Sequence, residues 1–337
     1  MSQIFSGLIA YIEERRYGND FYTPALQQND VLPFVQSVGM FLPNVKEDTI
    51  KLPNLSAVAG IADGATCITS FDNGNDSTIS QSSIALKKGV IADSICPHDG
   101  FETYYTAAGM AAGQKYDNLG VFETGILREI QRAVAKRIAQ NAWNGEGSPD
   151  TWTFSGWREQ LLAAVMGAGI VGTGTPTAGG SAGTDAAGVY NILVTLINAA
   201  MADVDFASDV EAGNVYFVMS PQDKEFLRQN YVKLHGTAFP DIAVGLQGLQ
   251  NDIFAPTLFP GTKIPIYLQS SLTGSATIIM SRKGNQVLAA DTVSDFTDLD
   301  MWLADDHETL RWKFRFKYGV GWRALNSANV KYWGPTT

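Results

Sequence analysis

The segment DNLGVFETGILREIQRAVAKRIAQNAWNG, residues 117–145, is the stretch that decides the fold. Its apolar side chains recur three or four residues apart, as on one face of an α-helix; they are Ile126, Leu127, Ile130, Ala133, Val134 and Ile138. Asp117 or Asn118 can cap its start, and Asn144 followed by Gly145 is typical of a helix end. A helix of this length runs for roughly 40 Å, so we expect it to cross a whole domain.

Residues 310–320 alternate between apolar and basic side chains, which predicts a β-strand with one buried face. The apolar positions are Leu310, Trp312, Phe314, Phe316, Tyr318 and Val320. The basic positions are Arg311, Lys313, Arg315 and Lys317, and they extend over roughly 20 Å, which suits an interface better than a pocket. Two interpretations stay open, a solvated basic face and a face turned to acidic neighbours or DNA phosphates.

Residues 46–95 read as a long β-hairpin. Its middle is rich in turn-forming residues, namely Asp72, Asn73, Gly74, Asn75 and Asp76. A two-stranded hairpin of this length cannot bury itself and needs a neighbour to lie on. These five residues are therefore candidate assembly contacts, and the four basic residues of 310–320 are candidates as well.

The flanking regions are less regular. Residues 1–45 contain Pro24, Pro33 and Pro43, which disfavours long helices and indicates either an extended arm or an ordinary loop-rich segment. Residues 167–188 are low in complexity and glycine-rich, which predicts a flexible loop. Elsewhere the pattern predicts helices at 155–166, 185–202 and 222–229, and strands at 215–221, 263–268 and 276–280.

Composition narrows the class of protein. The 337 residues carry a formal net charge of −10, with a sequence pI near 4.8, which argues against a dedicated nucleic-acid binder. Cys67 and Cys96 form no disulfide framework, so reduced thiols are expected. No signal peptide and no apolar run of spanning length is found, so we expect a soluble cytoplasmic protein without membrane contact.

The search for chemistry finds only weak signals. The glycines at 167, 169 and 172 match a dinucleotide-binding pattern by letter, but a helix precedes them where a strand is required. The groups at 96–99 and 305–308 contain potential metal ligands without the paired spacing of a zinc site. We therefore predict no catalytic, cofactor-binding or metal-binding residues.

The order of these elements resembles the major capsid proteins of tailed bacteriophages, with the Hong Kong ninety-seven type fold. Residues 84–95 resemble the family's strand returning from its extended loop, and residues 125–147 resemble its spine helix. Residues 215–221, and residues 316–324 with 330–333, are similar to strands of its apical and peripheral domains. The loop after the spine helix, which begins at Gly147, departs from the family pattern, and no long charged scaffolding segment precedes the arm.

The resemblance implies an α+β capsid fold with an N-terminal arm, an extended loop, a peripheral domain that holds the spine helix, and an apical domain. The corresponding ranges are 1–45 for the arm, 46–95 for the loop, 96–150 and 301–337 for the peripheral domain, with the helix at 117–145, and 151–300 for the apical domain.

The same resemblance implies a non-enzymatic protein without cofactors that assembles into pentamers and hexamers of an icosahedral shell around double-stranded DNA. It implies a virion capsid assembled in the host cytoplasm, separate scaffolding and portal proteins, a possible decoration protein, and non-specific contact with the packaged DNA. Two alternatives stay open: an encapsulin-type compartment shell, and a soluble α/β enzyme or binding protein.

Overall fold

The computed structural model describes residues 30–57, 78–95, 120–145, 155–163, 169–179, 187–240, 257–291, 299–303 and 310–335. The helices are α1 Val31–Val38, α2 Gly120–Asn144, α3 Trp157–Ala163, α4 Val189–Met201, α5 Val204–Ala212 and α6 Pro221–His235, with a 3-10 turn at Ser270–Leu272. The strands are β1 Met40–Pro43, β2 Thr49–Ala57, β3 Thr78–Ala85, β4 Lys87–Ile95, β5 Ile170–Thr173, β6 Val215–Met219, β7 Thr257–Leu258, β8 Pro265–Leu268, β9 Ile278–Arg282, β10 Gln286–Asp291, β11 Leu299–Leu303, β12 Leu310–Trp322 and β13 Val330–Gly334.

Strand β12 is the centre of a five-stranded sheet. It pairs antiparallel with β4, β10 and β11, and β1 adds to β10 in parallel. The alternation predicted for this strand is confirmed, because Trp312, Phe314, Phe316, Tyr318 and Val320 are all buried. Their face packs on the long helix α2, which contributes Ile130, Val134, Ile138, Ala142 and Trp143 to the same core. Ala133, which was assigned to the apolar face of this helix, is instead exposed.

The second sheet has the strand order β5-β13-β9-β6-β8-β7 and is covered on both faces. All five residues of β6 are buried, as expected for a continuous apolar strand between two layers. One face packs on α4, α5 and α6, and the other shares the core of α1, α2 and α3. Helix α6 starts at a capping box between Ser220 and Asp223, with Pro221 in its first turn.

A buried polar joint connects the ends of α1 and α2 to the turn after β8. Gln269, which follows β8, accepts a hydrogen bond from Trp143 Nε1 at 2.8 Å and donates one to the Asp30 carbonyl at 3.0 Å. The Asp30 carboxylate accepts bonds from the backbone N–H and the hydroxyl of Ser270 at 2.7 and 2.8 Å. Asn144 donates to the Ser271 carbonyl at 2.7 Å. The end of α2, the start of α1 and the turn after β8 are therefore fixed to each other.

The expected hairpin is present but shorter than the range 46–95. Strands β2 and β3 pair antiparallel, which confirms its stem. The returning strand is interrupted at Leu86. Its side chain is buried, and its backbone N–H donates a hydrogen bond to the Asp48 carbonyl. Residues 87–95 then leave the hairpin and pair with β12.

The end of the expected N-terminal arm differs from the prediction more than the hairpin does. Residues 31–38 form helix α1, whose Val31, Leu32, Phe34, Val35 and Val38 are buried in the core, and β1 joins the five-stranded sheet. Pro33 is compatible with this helix because the first turn needs no backbone N–H bonds. Residues 1–29 lie outside the described residues.

The glycine-rich region also contains regular structure. Residues 170–173 form the edge strand β5, parallel to β13, where the sequence predicted a loop. Gly172 lies so close to the Trp333 ring that a Cβ atom would be 2.2 Å from it, so a larger residue does not fit there. Helices α4 and α6 confirm two predicted helices, and α6 continues to His235, beyond the predicted end at 229.

The predicted division into domains remains a proposal, but the described strands cross its boundary at residue 300. Strand β10 precedes the boundary and pairs with β12, whereas β13 follows it and pairs with β9. The two sheets are therefore interleaved along the chain.

Candidate assembly surface

The basic residues of β12 share one face of the five-stranded sheet with residues of β4 and β11. Arg315 lies opposite Val90, and Arg311 lies opposite Ser94 in β4 and Trp302 in β11. Residues directly opposite each other in antiparallel strands point to the same side of a sheet. This side is opposite to the buried apolar side that packs on α2.

The four basic residues are not equivalent. Arg311 is exposed, Lys313 and Arg315 are half-buried, and the Lys317 side chain is only 3% exposed. Lys317 Nζ lies 2.9 Å from Asp48 Oδ1 and donates a hydrogen bond to the Lys46 carbonyl at 2.7 Å. Lys317 therefore ties β12 to the segment before the hairpin, whereas the other three basic side chains are more accessible. The role of the four residues as assembly contacts stays a prediction.

The electrostatics of this tie centre on Asp48. The hydrogen bond from Lys317 and its positive charge lower the pKa of the Asp48 carboxyl, and the charge of Lys88 acts in the same direction. Lys88 lies directly opposite Lys317 in the sheet. Asp48 thus offsets the repulsion between two lysines that share one face.

Two exposed apolar side chains complete the surface. Val90 is 55% exposed and Trp302 is 41% exposed, and both belong to the same side of the sheet as the basic residues. We call Arg311, Lys313, Arg315, Val90 and Trp302 the outer face. Aromatic and arginine side chains are enriched at protein interfaces, so this composition suits contact with another macromolecule.

The base of the hairpin is held firmly against β12. A Cβ atom on Gly319 would lie 2.5 Å from the Ala85 carbonyl oxygen, and one on Gly321 would lie 2.6 Å from the Ile84 side chain. Leu52 and Ile84 form a small core with Val287 of β10. The predicted tip contacts Asp72, Asn73, Gly74, Asn75 and Asp76 lie outside the described residues.

The described ranges contain no group of three or more His, Cys, Asp and Glu side chains that could hold a metal ion. The candidate groups at 96–99 and 305–308 lie outside those ranges. In the same part of the chain, no helix is long and apolar enough to cross a membrane.

Sequence reasoning missed the partners of Lys317. Lys46 and Asp48 were assigned only to the start of the hairpin, and their charges follow no periodic pattern. It also missed the exposed Val90 and Trp302, because their strands are recognisable as neighbours of β12 only from the sheet register.

Comparison with known proteins relates the chain to shell structures through its fold. No protein-family model matches the chain, and no curated protein matches it in sequence. The solved capsid of an empty GTA particle, computed with C5 symmetry, matches with a TM-score of 0.54 at 14% identity, covering 90% of this chain and 89% of that chain. A structure from Gordonia phage Cozz matches with a TM-score of 0.52 at 13% identity, covering 92% and 87%. One from Mycobacterium phage Adephagia matches with a TM-score of 0.51 at 9% identity, covering 92% and 90%. The chain therefore has the fold of these capsid and phage structures over nearly its whole length, as its resemblance to tailed-phage capsid proteins led us to expect.

Proposed function

We propose that the protein is the major capsid protein of a tailed phage, a non-enzymatic subunit that assembles into a closed shell around double-stranded DNA. The observation that carries this proposal is the fold shared with the capsid of a GTA particle over 90% of the chain. Small domains often share a fold without sharing a function. A match over 90% of the chain is more informative than the match of one small domain, because it requires the same order of elements in both sheets.

The outer face supports an assembly role. Three cations beside exposed valine and tryptophan side chains suit an acidic partner, and a chain with a net charge of −10 offers acidic surface on every copy. We infer that pentamers and hexamers of this chain build the shell. Separate scaffolding and portal proteins, and non-specific contact of the shell with DNA, belong to the same proposal.

The experiment is to purify the chain and follow its assembly by sedimentation velocity and negative-stain electron microscopy. We expect ring-shaped oligomers or closed shells whose amount increases with protein concentration. A stable monomer at every protein concentration, salt concentration and pH tested contradicts the proposal.

A variant with Arg311→Ser and Lys313→Ser tests the outer face. We expect it to fold like the wild type and to assemble less, with a weaker salt dependence, because interface charges are screened by salt. Arg323→Ser is the matched control, since Arg323 is exposed and lies just beyond the end of the same strand. Equal assembly of the double variant and the control removes the outer face from the proposal.

Deletion of residues 72–76 tests the hairpin, because it leaves both stem strands β2 and β3 in place. We expect a folded subunit that does not assemble. Normal assembly of the deletion variant contradicts the predicted role of Asp72, Asn73, Gly74, Asn75 and Asp76.

A further inference from the structure

Arg158 of helix α3 is a half-buried cation. Its Nε donates a hydrogen bond to the Thr277 hydroxyl at 2.9 Å, and its Nη2 donates one to the Ser275 carbonyl at 3.2 Å. Among the described residues, no carboxylate forms an ion pair with its guanidinium. Burial lowers the pKa of Arg158, because the charged side chain has lost water without gaining a compensating negative charge.

The two hydrogen bonds fix the direction of the guanidinium. An arginine side chain has five N–H donors, and here the turn before β9 occupies the edge formed by Nε and Nη2. Thr277 is completely buried, and its hydroxyl donates to the Ser275 carbonyl at 3.0 Å, so this support is itself fixed. The edge formed by Nη1 and Nη2 still has a donor on each nitrogen, which is the geometry that holds both oxygens of one carboxylate.

The turn that supports Arg158 is strained and has unused hydrogen-bonding capacity. Ala276 has a φ angle of 53°, in the left-handed region that is unfavourable for a residue with a Cβ atom. The hydroxyl of Ser275 is enclosed and has no hydrogen-bond partner in the described part of the chain. Backbone strain and unpaired polar groups are costly, and strain of this kind is concentrated at binding and active sites. Both features occur here within one residue of the groups that hold Arg158.

The sequence around Arg158 and around the turn carries little other charge. Residues 151–184 contain one basic and one acidic residue, Arg158 and Glu159, and residues 264–281 contain none. Glu159 is adjacent in the helix, so its side chain does not face that of Arg158, and the residues three and four positions away are uncharged. Contact with DNA uses several cations that follow the phosphates, whereas a lone guanidinium suits a single carboxylate.

We propose that Arg158 is a receptor for one carboxylate side chain, and that a neighbouring copy of the chain supplies this carboxylate in the shell. The chain has 34 acidic and 24 basic residues, so every copy carries carboxylates that its own cations cannot pair. An arginine that is already held in place loses little conformational freedom on binding, which favours a specific contact. The inference rests on the proposed shell function and adds one residue-specific contact to it.

Cross-linking of the variant Arg158→Lys identifies the partner. A water-soluble carbodiimide joins the new amine to a carboxyl group in contact with it: an amide bond forms, and the carboxyl oxygen and two hydrogens leave with the reagent as a urea. Shells are assembled from a mixture of isotope-labelled and unlabelled copies of this variant, so mass spectrometry distinguishes links between copies from links within one copy. We expect peptides of mixed label that join position 158 to an aspartate or a glutamate. The wild type is the control, because arginine gives no such link.

The variant Arg158→Gln tests the charge. We expect its assembled fraction at a fixed protein concentration to fall about tenfold, with Arg158→Lys between this variant and the wild type. Arg323→Gln is the matched control, because Arg323 is exposed and lies beyond the end of β12. If Arg158 only holds α3 to the turn, Arg158→Gln lowers the melting temperature of the subunit and leaves the assembly of the folded fraction unchanged, which overturns the proposal.

The remaining outcomes separate the contact from the shell function. Shells of Arg158→Lys without a link from position 158, or with links only inside one copy, overturn the contact between copies. Normal assembly of Arg158→Gln with a loss of DNA retention assigns Arg158 to phosphate and overturns it as well. In each of these cases the wild type still forms shells. A wild type that forms no oligomer overturns the proposed function instead.

Discussion

The buried ammonium of Lys317 lies 2.9 Å from the exposed carboxylate of Asp48, and this pair connects the central strand β12 to the segment that leads into the hairpin. The lysine side chain is 3% exposed and the aspartate side chain is 79% exposed. The exposed carboxylate of Asp48 therefore neutralises a lysine side chain that is almost completely shielded from solvent. The hairpin is connected to the sheet by charge as well as by packing.

Replacing Asp48 by Asn is expected to destabilise the subunit in a pH-dependent way. The pKa of this carboxyl is lowered in the folded protein, so its contribution to stability is present above its unfolded value and is lost as the pH falls through the folded value. The melting temperature of Asp48→Asn should therefore be below that of the wild type near neutral pH, and the difference should vanish well below about pH 4, the ordinary range of an aspartate. Calorimetry across this pH range measures the difference in melting temperature.

Glu47→Gln is the control for this prediction, because Glu47 is the adjacent exposed carboxylate. The melting temperature of Glu47→Gln, relative to that of the wild type, should change little with pH. A constant difference between wild type and Asp48→Asn at all pH values would show that the charge of Asp48 is not the cause.

Lys317→Ala and Lys313→Ala should affect the subunit differently, although both residues belong to the same basic pattern. Lys317→Ala removes a buried methylene stem and leaves the Lys46 carbonyl without its bond, so we expect a loss of about 1–2 kcal/mol in the free energy of unfolding. Lys313→Ala should stay within about 0.5 kcal/mol of the wild type, as is usual at surface positions. Urea unfolding of both variants measures the contrast, and equal losses would contradict it.

Gln269→Leu should loosen the joint between the turn after β8 and the ends of α1 and α2. The leucine removes the acceptor of Trp143 Nε1 and the donor to the Asp30 carbonyl, and Gln269 itself is only 1% exposed. Two buried polar groups without partners cost about 2–4 kcal/mol in the free energy of unfolding. Denaturant unfolding gives the loss, and Gln222→Leu on the exposed start of α6 is a control that should leave the free energy nearly unchanged.

Gly319→Ala should disturb the contact between β12 and the hairpin more than Gly321→Ala does. The added methyl on residue 319 meets the backbone carbonyl of Ala85, which cannot move without shifting β3, whereas the methyl on residue 321 meets the side chain of Ile84. We expect losses of about 2–3 kcal/mol for Gly319→Ala, as for overpacked cores, and a smaller loss for Gly321→Ala. Thermal unfolding ranks the two variants, and the reverse order would refute the backbone explanation.

Strong periodicity predicted the centre of the fold. The long helix and the alternating strand at 310–320 were recognisable because each repeats one simple pattern over ten residues or more. These two elements supply nearly half of the described buried residues of one core, so their order and length also indicated the fold class.

Contacts between distant segments could not be predicted. Lys317 has the same place in the alternation as Arg315, and only the segment around Asp48, some 270 positions earlier in the chain, distinguishes them. Helix α1 was missed because Pro33 reads as a breaker unless it falls in a first turn. The split of the returning strand at Leu86 depends on which neighbour each half pairs with, and a single sequence does not contain that information.

The interleaving of the two sheets has a consequence for synthesis. Strand β12 is the centre of one sheet and β13 lies inside the other, between β5 and β9, so residues 310–334 complete both. Contacts between distant parts of a chain form late, and the ribosome delivers these two strands after every other described element. A copy without residues 310–334 therefore lacks the central strand of one sheet and an inner strand of the other. Both sheets therefore become complete together, when the last described strands are added.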